Sequence, residues 1–287
     1  MKYAQILLAA AISAAVAFAV ASRMPSAAKG DAQPAFARVE RTRTVRCAYA
    51  IWAPYIMEDP NTKKLSGFAY DFMEQIGKIL GVKIKWTQEI PWSQIGDDLK
   101  SGRDDMFCQT VWPSGNRAFS LDFTKAVDYI GAYAFVRADD KRFDGDLAKI
   151  NNPNVTIADI DGDYTQDIAS KNFPEAKQYS LPGDSDGAAL LMAVTSHKAD
   201  VVFVDPFLAR DFLKHNPGTL KRVAGVPAVQ IFGDEFAVAK GETKLRDTVN
   251  AAIELMNQSG FIRRELDKYL GAYKGQYAYP AKPYETQ

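Results

Sequence analysis

Residues able to hold charge stand where apolar runs stop. The stretch DDMFCQTVWPSGNRAFSLDFT, residues 104–124, breaks from a hydrophobic run into Trp112, Pro113, Ser114, Gly115, Asn116 and Arg117. Arginine's planar fork of N–H donors suits a carboxylate, and Asp122 offers one a short way along the chain. VVFVDPF closes its run with Asp205, where a carboxylate followed by proline reads as a helix N-cap with Pro206 at the first helical position. In IDGDYTQDIA, Asp163 and Gln166 have the spacing of a capping box. Trp52 and Tyr55, in AIWAPYIM, and Trp112 add aromatic faces, which attract cations. His197 and His215 stand alone, with no second histidine or cysteine at metal-ligand spacing, and no glycine-rich phosphate loop follows a strand. No metal and no cofactor is expected.

The elements that must position these residues alternate. TVRCAYA is a strand; GFAYDFMEQIGKILG is a helix with Phe72, Met73, Ile76, Ile79 and Leu80 on one face; VKIKW is a strand, WSQIGDDLKSG a short helix and DMFCQTV a strand. The same order returns with VTIADI, a helix from about Thr165, AKQYSL, the helix GAALLMAVTSHK, ADVVFVD and the helix PFLARDFLKHN. Two α/β units are implied. Ligands of doubly wound sheets bind beyond the carboxyl ends of the strands, which is where Arg117 and Asp205 stand.

Composition narrows the class. The 287 residues are 47% hydrophobic and 24% charged, with 35 basic against 35 acidic side chains, so the chain can bury a large core and is no polyelectrolyte; nucleic acid is not expected as a partner. Residues 1–21 read as a signal peptide, a lone Lys2 ahead of an Ala-rich run ending in Ala19-Val20-Ala21, with an uncleaved anchor as the alternative. Residues 22–43 lack apolar periodicity and read as a flexible lead-in. Export permits a disulfide between Cys47 and Cys108, but side chains on adjacent parallel strands stand perpendicular to the sheet, which favours two buried thiols.

From about Val45 to Tyr273 the chain resembles the periplasmic polar amino-acid-binding proteins, the solute receptors of ABC importers. The motifs are LSGFAYDFMEQIGKILG, LKSGRDDMFCQTVWPSGNRAFSLDFT, KADVVFVDPFLARDFL and FAVAKGETKLRDTVNAAIELMNQSGFIRRELDKYLG. The resemblance implies a bilobal periplasmic-binding-protein fold, two doubly wound α/β lobes joined by two hinge strands with the ligand cleft between them. Lobe one would comprise 44–134 plus 236–274, lobe two 135–235, and residues 275–287 a C-terminal tail. It implies a receptor that closes on a small amino acid or related amine-bearing solute and delivers it to an ABC importer permease. Arg117 matches the arginine that binds the ligand carboxylate, Thr110 the position that serves the ligand's amino group, and Asp205 the aspartate that pairs with the ligand ammonium. Trp52 or Tyr55 matches the aromatic that walls the pocket.

Two departures bear on ligand class. Trp112 stands where the family has a small hydroxyl residue donating to the carboxylate. Asp163 occupies the place of a Gly-Thr/Ser turn, so it sets negative charge where an anion would sit. If Asp163 faces the cleft, then with Trp52, Trp112 and Asp205 it favours a cationic or aromatic ligand. The resemblance extends to periplasmic cyclohexadienyl dehydratases, for which Glu58 or Asp163 would be the acid; a sensory ligand-binding subunit is the other alternative. No enzyme activity is expected.

Overall fold

The computed structural model describes residues 33–271 and 276–280, and the expected signal peptide lies outside them. Helix α1 (Ala35–Thr42) comes first, inside the segment that composition reads as a flexible lead-in. That expectation is corrected from Ala35 onward. Val39 is buried, the Ala35 and Phe36 amides donate to the Glu242 carboxylate at 2.8 and 3.4 Å, and Arg38 pairs with Asp105. Partners distant in sequence hold a segment whose local signal is weak.

The first unit follows with β1 (Thr44–Tyr49), a hairpin of β2 (Met57–Glu58) and β3 (Leu65–Ser66), α2 (Phe68–Leu80), β4 (Lys83–Glu89), α3 (Ile95–Lys100), β5 (Met106–Val111) and β6 (Leu121–Phe123). The long strand β7 (Asp128–Arg137) leads to β8 (Thr156–Ile160), α4 (Tyr164–Asn172), β9 (Lys177–Leu181), α5 (Gly187–Thr195), β10 (Val201–Val204), α6 (Pro206–His215) and β11 (Leu220–Arg222). The chain returns along β12 (Gln230–Ala239) to α7 (Thr243–Gln258), α8 (Phe261–Leu270) and β13 (Tyr277–Ala278), which pairs with β7.

The strand order is β4-β1-β5-β12-β7-β10-β8-β9. β4, β1 and β5 are parallel, as are β10, β8 and β9. Between these two sets run β7 and β12, antiparallel to each other over Asp128–Ala132 and Gln230–Asp234. Each then changes partner: β7 pairs with β10 from Tyr133 onward, and β12 with β5 and β6 from Glu235 onward. Two crossover strands thus join two α/β lobes.

Burial explains the local choices. Every residue of β5 is buried, which is why MFCQTV reads as a continuous rather than an alternating run. α2 buries Phe68, Ala69, Phe72, Met73 and Ile76 as one stripe against the sheet. Its N-cap, Gly67, has φ 123°, and a Cβ there would lie 2.1 Å from the Tyr55 carbonyl oxygen, so only glycine lets the helix start this close to the loop that carries Tyr55.

Cys47 and Cys108 form a disulfide, which corrects the expectation of two thiols. In the β1–β5 register Cys47 lies beside Met106, so the bond runs diagonally to a residue two positions along. The Cα atoms are 5.4 Å apart, inside the span a disulfide bridges. The perpendicular stance of side chains argues against bonds straight across parallel strands and not against this offset.

Candidate functional site

A cleft with an empty volume of about 640 Å³, its open mouth included, lies at the carboxyl ends of β1, β5, β8 and β10. The structure brings all seven predicted residues to it: Trp52, Tyr55, Thr110, Trp112 and Arg117 from the first lobe, Asp163 and Asp205 from the second.

The loop after β5 delivers Arg117 on a single 3-10 turn, where it is buried. Asp122 is not its partner, since that carboxylate accepts from Lys240 and the Gly241 amide. Arg117 Nη2 instead donates across the cleft to Asp163 Oδ2 at 2.9 Å, and Nη1 donates to the Trp112 carbonyl at 3.1 Å. Asp163 performs both roles its position allows. Its Oδ1 caps α4 by accepting from the Thr165 amide and hydroxyl at 3.2 and 3.3 Å, while Oδ2 faces Arg117. Gln166 does not complete a capping box on Asp163, because it accepts from the Gly162 amide.

Asp205 likewise caps α6. Its Oδ1 accepts from the Phe207 and Leu208 amides, each at 2.8 Å. Burial pushes this carboxyl up to about 6, opposed by those amides and by a hydrogen bond from Trp52. Trp52 comes from the first lobe and seats its ring on Gly187 at the start of α5. Thr110, at the end of β5, is buried with its hydroxyl oxygen unpartnered, as is Gln109 Oε1 beside it. Glu58 pairs with Lys63 on the β2–β3 hairpin and does not line the cleft.

Asp234 is the residue that sequence reasoning missed. It sits on β12 just before the partner change, buried, and forms the cleft floor. Its two oxygens accept from the Tyr55 hydroxyl at 2.9 Å and the Trp112 indole at 2.8 Å. Trp112 thereby turns its N–H away from any ligand carboxylate. Its ring stacks on Phe232 at 4.3 Å and leans on Tyr164. Directly across from Asp234 in the β7–β12 ladder is Asp128, also buried, whose oxygens meet no N–H or O–H donor. Burial and the neighbouring carboxylate hold Asp128 well above the usual carboxylate range. Burial pushes Asp234 up to about 7.

The raised carboxyls have a thermodynamic consequence. Carboxyls raised in the folded state contribute stability that is complete below the unfolded value, near 4, and is lost as pH rises through about 7. The expected result is that Asp128→Asn, whose amide can donate to Asp234 without titrating, flattens the loss of stability as pH rises from 5 to 8, because one raised carboxyl no longer titrates. Urea midpoints at the two pH values measure it; an unchanged slope contradicts it.

Comparisons with known proteins identify the family. Residues 45–272 match the family model described as bacterial extracellular solute-binding proteins, family 3. A probable histidine-binding protein of Campylobacter jejuni is 25% identical over 213 residues, 72% of this chain and 77% of that protein. The L-cystine-binding protein TcyJ of Escherichia coli (strain K12) is 26% identical over 215 residues, 73% and 76% of the two chains. The crystal structure of the substrate binding protein of an amino acid ABC transporter superposes with a TM-score of 0.65 at 25% identity, covering 79% of this chain and 99% of that one.

Proposed function

Because the chain belongs to family 3 of the bacterial extracellular solute-binding proteins, we propose that it is a periplasmic receptor that closes on a small amino acid or related amine-bearing solute and hands it to an ABC importer permease. The observation that carries this reading is the cleft itself. One guanidinium and the Asp205 carboxylate, from opposite lobes, face the same aromatic-walled cavity at the strand ends. Binding, with no bond made or broken, is what such a site can do. The amino-acid-binding relatives support the solute class.

Closure follows from the crossover strands. We take the hinge to lie at the partner changes of β7 and β12, with lobes of 44–134 plus 236–274 and 135–235. Contacts across the cleft support a closed conformation: Arg117 on Asp163, Trp52 on Gly187, and Gly183 packed so close to Ser93 that an added Cβ would lie 3.3 Å from the serine Cβ. A ligand touching both lobes would shift the open–closed balance toward this form.

A ligand that binds only the folded chain raises its melting temperature. Screening amino acids and amines for that rise tests the reading, and a panel without effect contradicts it. The closing motion has its own test. A Cβ at Gly187 would stand 2.4 Å from Trp52 Cη2 and 2.7 Å from Leu208 Cδ2. Gly187→Ala is therefore expected to weaken ligand binding by about tenfold, some 1.4 kcal/mol. The fold should survive, since alanine is the better helix former. Unchanged affinity by calorimetry would contradict closure over Gly187.

A further inference from the structure

The charge lining the cleft says more about the ligand than the fold does. Facing the cavity are Arg117 from the loop after β5, Asp163 from the head of α4, Asp205 from the head of α6, and Asp234 from β12 with Asp128 behind it on β7; the Tyr55 and Tyr164 hydroxyls are held neutral by burial. One cation meets three carboxyl groups. The cation is also already engaged: Arg117 and Asp163 pair at 2.9 Å with side chains only 10% and 14% exposed. Asp163 is no loose counter-ion, because its second oxygen is fixed by the Thr165 amide and hydroxyl. A ligand carboxylate would have to displace a carboxylate that the protein has preorganised, and bring a second negative charge beside it.

What remains after that pair cancels is acidic. Asp205 and the Asp128–Asp234 pair are the carboxyl groups left over, and the cleft lining places no second cation beside them. The buried acceptors Gln109 Oε1 and Thr110 Oγ1 have no donor among the described residues. An ammonium supplies up to three N–H donors and a positive charge at once. Trp52, Trp92 and Trp112 line the same cavity and offer faces that attract cations. A zwitterion brings no net charge to this environment, whereas an amine cation neutralises it.

We propose that Asp163 is a built-in substitute for a ligand carboxylate, so that the solute this cleft selects is a carboxylate-free amine cation, with Asp163 as the residue that sets that specificity. The inference rests on the receptor reading above and narrows it. It predicts that the head group most amino-acid receptors hold is rejected here by charge.

The test uses matched pairs that differ only in the carboxylate: lysine against cadaverine, histidine against histamine, tyrosine against tyramine. Each is titrated calorimetrically into the mature protein at pH 7 and into Asp163→Ser, whose hydroxyl still caps α4 without a charge. In the unsubstituted protein at least one amine binds about tenfold or more tightly than its amino acid. In Asp163→Ser that preference shrinks by about tenfold because the amino acid now reaches Arg117. Asp163→Asn, a second uncharged cap, gives the same change and separates lost charge from a damaged helix start. An amino acid that binds the unsubstituted protein more tightly than its amine overturns the proposal, as does a ratio that both substitutions leave unchanged. Failure of every compound in all three proteins, each folded by circular dichroism, counts against the receptor reading itself and not only against its narrowing.

Discussion

Asp205→Asn is expected to weaken solute binding about 100-fold, close to 2.7 kcal/mol, while the protein stays folded. Removing one partner of a buried charge pair costs about 2–5 kcal/mol, because the other charge is left desolvated and unpaired. Asparagine separates this effect from the helix cap. Its side-chain oxygen can still accept from the Phe207 and Leu208 amides, the two bonds that fix Asp205 at the start of α6. Stability should change little or rise, since burial already disfavours this carboxylate and holds it near 6. The measurement is a dissociation constant by calorimetry at pH 7 with a ligand found by the melting screen, alongside a urea midpoint. Unchanged affinity would show that Asp205 is only a cap.

Breaking the Cys47–Cys108 bond should have the largest effect on stability. The bond closes a loop with a sequence separation of 61, tying the first strand of the first lobe to the central β5. On the chain-entropy account a loop of this length restricts the unfolded chain by about 4 kcal/mol. For a chain of this size, each kcal/mol moves the melting temperature by roughly 2–4 °C, so a drop of roughly 8–16 °C is expected for the Cys47→Ala, Cys108→Ala double variant. Alanine avoids leaving two buried thiols. Both sulfurs are fully enclosed, so a reductant added to the folded protein should act slowly compared with one added during unfolding. A double variant that melts with the unsubstituted protein would contradict the account.

Much of this was legible in the residues, for identifiable reasons. Strands such as VVFV and MFCQTV are buried on both faces and so appear as unbroken apolar runs, while α2 shows its stripe of Phe72, Met73 and Ile76 directly. Asp205 and Asp163 were visible as helix caps because capping is a local affair. The pairing of Asp163 with Arg117 was not visible, since it joins residues 46 apart from opposite sides of a cleft. Helix α1 escaped notice for a similar reason: its first amides are satisfied by Glu242, far along the chain. The disulfide depended on a diagonal register that strand assignment alone does not supply.

Asp234 is a different case, because a signal existed. AVDYIGAYAFV and QIFGDEFAVA each set an aspartate inside a hydrophobic strand, where an isolated carboxylate is costly to bury. Two such strands pairing with each other bring the two acids face to face, where burial raises both. Acids embedded in apolar hinge strands were the clue to the cleft floor.

The receptor account is tested most directly by tryptophan emission. Three of the four tryptophans, Trp52, Trp92 and Trp112, line the cleft, so a solute entering it must alter their surroundings. Titrating the protein with the amine and amino-acid pairs should give a saturable change with one solute per chain. No saturable change from any of them, or saturation at more than one solute per chain, would contradict a single binding cleft between the two lobes.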